Sequence, residues 1–349
     1  MRVGLVICGS LNTLSGGYLY DRKLVEYLRA RGDSVEIISL PLRNYAAHLT
    51  DNLYFRLPPR LDILIEDELN HPSLIAANTG RRGYPVVSLV HHLRCSEPRP
   101  RWQNGFYRTV EKKYLRSVDG FIFNSLTTKS AVNALTANSK PSTVAYPPTD
   151  RFGDPISEPG IVARARTREF RILFLGNLIE RKGLAVLLDA LSTIRDSSIT
   201  LDIVGSLTDK PAYAKTIQNK VRVNDLSARV QFHGALDNDP LREILRQSHV
   251  LAVPSSYEGY GIAYLEGMGF GLPAIGTTAG AAHEIITDGQ DGFLIQPGDF
   301  VTLASHLNAL ASDRDLLIRL SLRARERYSR HPSWEQTATE VRKFLLGML

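Results

Sequence analysis

Continuous apolar runs of strand length recur along the chain, each closed by a glycine-bearing loop and followed by a stretch with helical spacing. Residues 2–8 are the first such run. Residues 9–17 form a glycine-bearing loop, residues 18–30 a helix ended by Arg31-Gly32-Asp33, and residues 35–40 a second strand. Runs without polar alternation predict parallel strands buried on both faces, and the β-loop-α-β order predicts a doubly wound α/β sheet. Further strands are predicted at 61–65, 85–90 and 120–123. The pattern then pauses over 151–168, rich in proline, glycine and charge, and restarts with a strand at 170–175 and a helix reaching 194. Strands at 199–204, 229–233, 250–253, 273–275 and 292–295 follow, and a helix over 333–346 closes the chain. One pattern broken and restarted predicts two domains, 1–150 and 170–328, with a linker over 151–169 and a terminal helix in 329–349. A chain of 349 residues also suits two cores better than one.

The densest chemistry lies at residues 254–284, which read PSSYEGYGIAYLEGMGFGLPAIGTTAGAAHE. A strand runs into a proline, then Glu258-Gly259-Tyr260-Gly261, then an amphipathic run carrying Glu266. Such a turn presents backbone N–H groups and a helix N-terminus to an anion or polar ligand. On one helix the two carboxylates would stand roughly 12 Å apart along the axis. At that spacing they cannot act on one bond, but they can grip two ends of an elongated ligand.

The setting E-G-x-G-x-x-x-x-E resembles the signature of the retaining family-four glycosyltransferases of the GT-B fold, a glycogen-synthase-like superfamily. The resemblance implies two Rossmann-like domains facing each other across a cleft, with a terminal helix crossing back to the first. It implies that Glu258 and the amides of Gly259, Tyr260 and Gly261 hold the donor sugar, and that Glu266 binds the ribose hydroxyls. Residues 176–183, GNLIERKG, resemble the family's G-R-x-x-x-x-K-G, whose cations neutralise the leaving diphosphate. Lys182 matches the lysine, whereas Asn177 stands where the arginine is usual. Arg181 is the neighbouring cation, and adjacent side chains are expected to point different ways. On the same resemblance Gly16 and Gly17 form the glycine loop of the first domain, and His91, after the strand at 85–90, contacts the donor sugar. Gly205 and His233 end strands near the nucleotide, and residues 146–150 match a proline-containing segment before the crossover. Lys182, Glu258 and His91 are the expected catalytic residues.

The loop at 9–17 lacks the G-x-G-x-x-G spacing of a dinucleotide fold, which disfavours a nicotinamide enzyme. No companion ligands appear beside His91-His92 at metal spacing, and Cys8 and Cys95 fit neither zinc spacing nor a disulfide framework. No metal is expected, and no cofactor besides a nucleoside-diphosphate sugar as donor substrate. A net charge of +6 suits anionic substrates and anionic lipid, and is too small to imply nucleic acid. Without a long apolar run or a signal peptide, the expected location is the cytoplasm.

Residues 94–116 add a second theme. Seven cations (Arg94, Arg99, Arg101, Arg108, Lys112, Lys113, Arg116) face Glu97 and Glu111, with Trp102, Phe106, Tyr107 and Tyr114 interleaved. That composition suits docking on the inner face of an anionic membrane, and equally a solvated helix with aromatics in the core. The expected activity is transfer of a hexose, with retention, to a lipid, a lipid-linked or other glycan, or a small molecule. A non-catalytic nucleotide-sugar-binding protein and a GT-B nucleotide-sugar epimerase stay open. A retaining glycosidase needs two carboxylates about 5 Å apart, which the glutamate spacing does not offer.

Overall fold

The computed structural model describes residues 1–13, 16–80, 82–137, 140–148, 150–153 and 156–349. Residues 14 and 15 of the first glycine loop, 149 of the proline segment, and 154 and 155 of the stretch read as a linker lie outside the described residues. The chain divides into two compact units, Met1–Pro148 with Pro332–Leu349, and Thr149–His331.

The first unit holds strands β1 (Arg2–Cys8), β2 (Ser34–Leu40), β3 (Ile63–Asp67), β4 (Val86–Val90), β5 (Gly120–Phe123) and β6 (Ser142–Val144). They form a parallel sheet in the order β2-β1-β3-β4-β5-β6. The order turns around between β1 and β3, and at such a switch point the connections diverge and leave a crevice at the carboxyl ends of the strands. Helices cover both faces. Tyr20, Leu24 and Leu28 of the Gly16–Ala30 helix pack with Val341 and Leu345 of the Trp334–Met348 helix over β1, β3 and β4. Tyr114, Leu115 and Val132 pack on the other face. The terminal helix thus belongs to the first unit. It starts at Ser333 in a capping box with Gln336, and its Thr337 hydroxyl donates to the carbonyl of Tyr146 at 2.9 Å.

The second unit holds β7 (Phe170–Leu175), β8 (Ile199–Val204), β9 (Val230–Gly234), β10 (Val250–Ala252), β11 (Ala274–Thr277) and β12 (Gly292–Ile295). This sheet is also parallel, in the order β12-β11-β10-β7-β8-β9, with its switch point between β7 and β10. Two Rossmann-like doubly wound sheets are therefore present.

Three local expectations change. The first helix begins at Gly16, so Gly16 and Gly17 form its first turn instead of a loop before it. Strand β3 runs two residues past its apolar part, to Glu66 and Asp67, because both acids are buried along with the rest of the strand. Within residues 151–168, Glu158–Ala165 is a helix whose buried Arg164 donates to the carbonyls of Phe270 (2.8 Å) and Gly271 (3.0 Å).

Candidate functional site

The loops that leave β7 and β10 meet at the switch point of the second unit. After β7 the chain makes a 3-10 turn, Glu180–Lys182, that ends at Gly183 with φ of +73°. A Cβ there would run into the carbonyl of Pro254, so only glycine brings these two loops together. The turn aims Lys182 Nζ at Glu258 Oε2, 2.7 Å away, and Arg181 Nη1 at Oε1, 3.8 Å away. The two adjacent cations, expected to diverge, converge on one carboxylate because the turn is tighter than a strand or an α-helix. Arg181 also donates to the carbonyl of Tyr257 at 2.7 Å, and the Ser256 N–H donates back to the Arg181 carbonyl at 2.8 Å.

Glu258 is 8% exposed and takes a further hydrogen bond from Ser255 Oγ at 3.1 Å. Its backbone bridges to Gly280, with the Ala281 N–H donating to the Glu258 carbonyl at 2.8 Å. Burial alone would raise this carboxyl; the charges of Lys182 and Arg181 outweigh it and hold Glu258 below its ordinary value. It is an ionised carboxylate with its counterions built in.

Gly261, at φ of +105°, caps the Ile262–Gly269 helix, and a Cβ there would strike the ring of Tyr264. The helix is short and buried from Tyr264 to Gly269, so the amphipathic run expected from sequence is a buried helix. Tyr264 donates its hydroxyl to the Val253 carbonyl at 2.7 Å, and buried Tyr260 meets His331 Nε2 at 3.2 Å. Glu266 lies on this helix and Glu258 precedes it, so the axial spacing for one shared helix does not apply. Glu266 is 6% exposed, and burial raises its carboxyl against the pull of Arg151, whose Nη1 donates to Oε1 at 3.1 Å. Arg151 is held in turn by Asn238 Oδ1 at 2.8 Å and lies over the ring of Phe152.

Asn177, Gly205 and His233 sit on neighbouring strand ends. Asn177 donates to Asp209 Oδ2 at 2.6 Å and accepts from the Ser206 N–H at 3.3 Å. In place of a cation, this position ties two loops together. Gly205 lies so close to the Gly176 carbonyl that a Cβ has no room. His233 Nε2 is 2.7 Å from Asp202 Oδ1, a pair across β8 and β9.

In the first unit His91 follows β4. Its Nε2 is 3.4 Å from Asp21 Oδ1, the ring meets Tyr20 edge-on, and a Cβ at Gly17 would touch it. Burial would lower this imidazole; hydrogen bonding and charge from Asp21, with help from Asp67 and Glu68, raise it instead. Asp67 is pushed up to about 7, by burial first and then by Asp21. His92 turns away to Glu97 Oε1 at 2.8 Å. Beside this group lies a second buried set, Glu68, His71 and Glu111, whose donor atoms are within 4.8 Å of one another.

Residues 169–313 match the family described as Glycosyl transferases group 1. The chain carries a group 1 glycosyltransferase domain. An uncharacterized glycosyltransferase of Methanocaldococcus jannaschii is 32% identical over 171 residues, 49% of this chain and 46% of that protein. The match thus spans a little under half of that relative's length. A phosphatidyl-myo-inositol mannosyltransferase of Mycobacterium leprae is 24% identical over 98% of this chain and 95% of its own. Among solved structures, a sucrose-phosphate synthase from Thermosynechococcus elongatus superposes with a TM-score of 0.81 at 19% identity, covering 99% of this chain and 98% of its own. Anabaena HepE, solved with UDP and glucose, gives 0.78 at 19% identity over the whole of both chains. The fold of the whole chain is GT-B.

The matched group 1 domain contains the Lys182–Glu258 pair, Arg181, Asn177, Gly205, His233 and Glu266. Arg151 and Asp21 were missed at the sequence level. Arg151 was passed over inside a stretch whose composition reads as linker, and nothing local marks it. Asp21 left a signal: it shares the inward face of its helix with Leu24, Val25 and Leu28, where a charge is out of place.

Proposed function

We propose that this group 1 glycosyltransferase moves a hexose, with retention, from a nucleoside-diphosphate sugar to an acceptor that is a lipid or lipid-linked sugar. The carrying observation is the Lys182–Glu258 pair, 2.7 Å apart across the β7/β10 switch point. An ionised carboxylate accepts from sugar hydroxyls, and the ammonium released beside it is free to meet the diphosphate. As the anomeric bond breaks, negative charge grows on the diphosphate, and a cation already in place stabilises that charge without reorganising. Glu266, on the helix behind, is the group that accepts from the ribose hydroxyls, with Arg151 occupying it in the free protein.

Two cations and the Ser255 hydroxyl engage Glu258, which suits a ligand-holding carboxylate better than a nucleophile. That favours front-face transfer assisted by the leaving phosphate. The lipid acceptor rests on the Arg101–Ser117 helix. It leaves Trp102 and Phe106 exposed, and Arg108, Lys112, Lys113 and Arg116 line one surface depression on the same helix, while Tyr114 goes to the core. A full-length relative named for transfer to phosphatidyl-myo-inositol supports the same acceptor class.

The test is nucleoside-diphosphate release from a donor panel, starting with the diphosphate glucose and mannose donors, with and without acceptor lipid extract. The anomeric configuration of the product is then read by NMR. Release with an α-linked product from an α-donor supports the reading. Tight donor binding with no release from any donor would leave a binding protein and overturn it.

A further inference from the structure

Glu266 is buried on a helix that offers it no counterion. The Ile262–Gly269 helix carries no other charged side chain, and β10 and β11, packed against it, carry no titratable group. The Arg314–Ser329 helix also packs on it, with Tyr328 against Gly269. Its charges go elsewhere: Arg325 donates to the Ile156 carbonyl at 2.7 Å, Arg327 donates to the Glu284 carbonyl at 2.9 Å, and Glu326 pairs with Arg323 and Arg330. In the Asn238–Gln247 helix, Asp239 pairs with Arg242.

The charge that reaches Glu266 comes from the 3-10 turn Asp150–Phe152. Arg151 Nη1 donates to Oε1 at 3.1 Å, and among the described residues the carboxylate has no other hydrogen bond, which leaves Oε2 over. Arg151 is braced on two sides. Its Nε donates to Asn238 Oδ1 at 2.8 Å, and its guanidinium lies 4.9 Å from the centre of the Phe152 ring. Phe152 in turn meets Phe270 edge-on, one residue past the end of the helix that carries Glu266. A guanidinium fixed in this way presents one N–H at a set place.

We propose that Arg151 is a positioning residue of the nucleotide site: it holds Glu266 by one oxygen, keeps it ionised and leaves Oε2 for a ribose hydroxyl. This role rests on the reading of Glu266 as the ribose-binding carboxylate. Burial favours the neutral form of a carboxyl, and a cation at hydrogen-bond distance opposes it. Glu258 has two cations and is held below its ordinary value, whereas Glu266 has Arg151 alone and stays raised. An ionised carboxylate accepts from hydroxyls on both oxygens and more strongly than the neutral acid does. A blocking role, in which Arg151 must leave before ribose binds, predicts the opposite sign.

The test uses the full chain and calorimetric titration with UDP, GDP and ADP at pH 8 and pH 6. The parent is compared with Arg151→Met and Arg151→Lys on the nucleotide that binds the parent most tightly. At pH 6 Arg151→Met should bind it roughly tenfold more weakly than the parent, and at pH 8 the loss should be smaller, because the unpaired carboxyl takes up a proton as pH falls. Comparison at the same pH removes the titration of the ligand itself. Arg151→Lys keeps the charge without the planar fork, so it should return to the pH dependence of the parent even where it binds more weakly. In a Glu266→Gln background Arg151→Met should add no further loss. Arg151→Gln takes the place of Arg151→Met if circular dichroism shows that variant unfolded. Parent-like binding by Arg151→Met, a loss of equal size at both pH values, or a loss that persists with Glu266→Gln overturns the positioning role. Tighter binding by Arg151→Met overturns it in favour of a gate. If no nucleotide binds the parent, the donor-site reading falls and Arg151 falls with it, an outcome distinct from all of these.

Discussion

Lys182 and Glu258 are each other's counterions before any ligand arrives, and a donor must divide them between diphosphate and sugar. Lys182→Ala is therefore expected to lower turnover on the order of a hundredfold, with a smaller change in donor affinity, because the cation matters most as charge develops. Steady-state kcat and KM with the active donor decide it, and unchanged kcat removes Lys182 from the chemistry. A second residue sets a pH response. His249 is buried with both ring nitrogens committed: Nδ1 accepts from the Arg171 N–H at 3.1 Å, and Nε2 donates to the Arg164 carbonyl at 3.0 Å. The neutral ring satisfies both, and a second proton would oppose the Arg171 N–H. Burial first, and then Arg164, Arg314 and Arg171 against only the hydrogen bond to the Arg164 carbonyl, lower it to about 4. The unfolded ring, with its ordinary value near 6.5, takes up protons that the folded one refuses, so stability falls as pH drops below about 6.5. At pH 5 this amounts to about 2 kcal/mol. Thermal unfolding of the second unit at pH 7 and pH 5 measures it, and His249→Asn should flatten the dependence that this group contributes.

At the scale of elements, the Arg101–Ser117 helix divides its aromatics. Tyr114 is fully buried with its hydroxyl 3.0 Å from Ser88 Oγ, whereas Trp102 is 74% exposed. The core account holds for Tyr114, and the exposed Trp102 leaves the membrane account to be tested. Near an anionic surface each cation contributes about 1 kcal/mol and the attraction fades within a Debye length. Sedimentation with anionic vesicles at low salt should carry the protein down. Neutral vesicles, added salt, or glutamine at Arg101, Arg108, Lys112 and Lys113 should release it. Protein that stays in the supernatant under all conditions would point to a soluble acceptor. No helix among the described residues is long and apolar enough to cross a membrane.

At the scale of the molecule, the first unit is closed by residues from the far end of the chain. Leu345, fully buried, packs with Val3, Tyr20 and Leu28, so Leu345→Ala should cost about 2–5 kcal/mol. The loss is expected in the unfolding of the first unit, with the transition of the second unit and its stabilisation by UDP or GDP unchanged. A loss shared equally by both transitions would contradict an independent second core. The elements themselves were legible in sequence because a strand buried on both faces has no polar alternation and a glycine at positive φ is hard to replace. Eleven of the twelve strands, Gly183, Gly261 and the glutamate pair carry such local marks, and the short β6 (Ser142–Val144) was not read from the sequence. Partnership was not legible, since it depends on which strand ends the sheet order places side by side. Local pattern ended β3 before Glu66, read Glu258 and Glu266 as sharing a helix, and set Arg181 apart from Lys182. By itself the sequence determined two α/β units and the group 1 motif, because hydrophobic period and backbone conformation act within a few residues. Only the tertiary structure decided that Lys182 and Arg181 meet Glu258, that Arg151 holds Glu266, and that Asp21 and Asp67 close around His91. These contacts join residues 24 to 115 positions apart, and the order of the strands in each sheet and the loops that leave them bring them together.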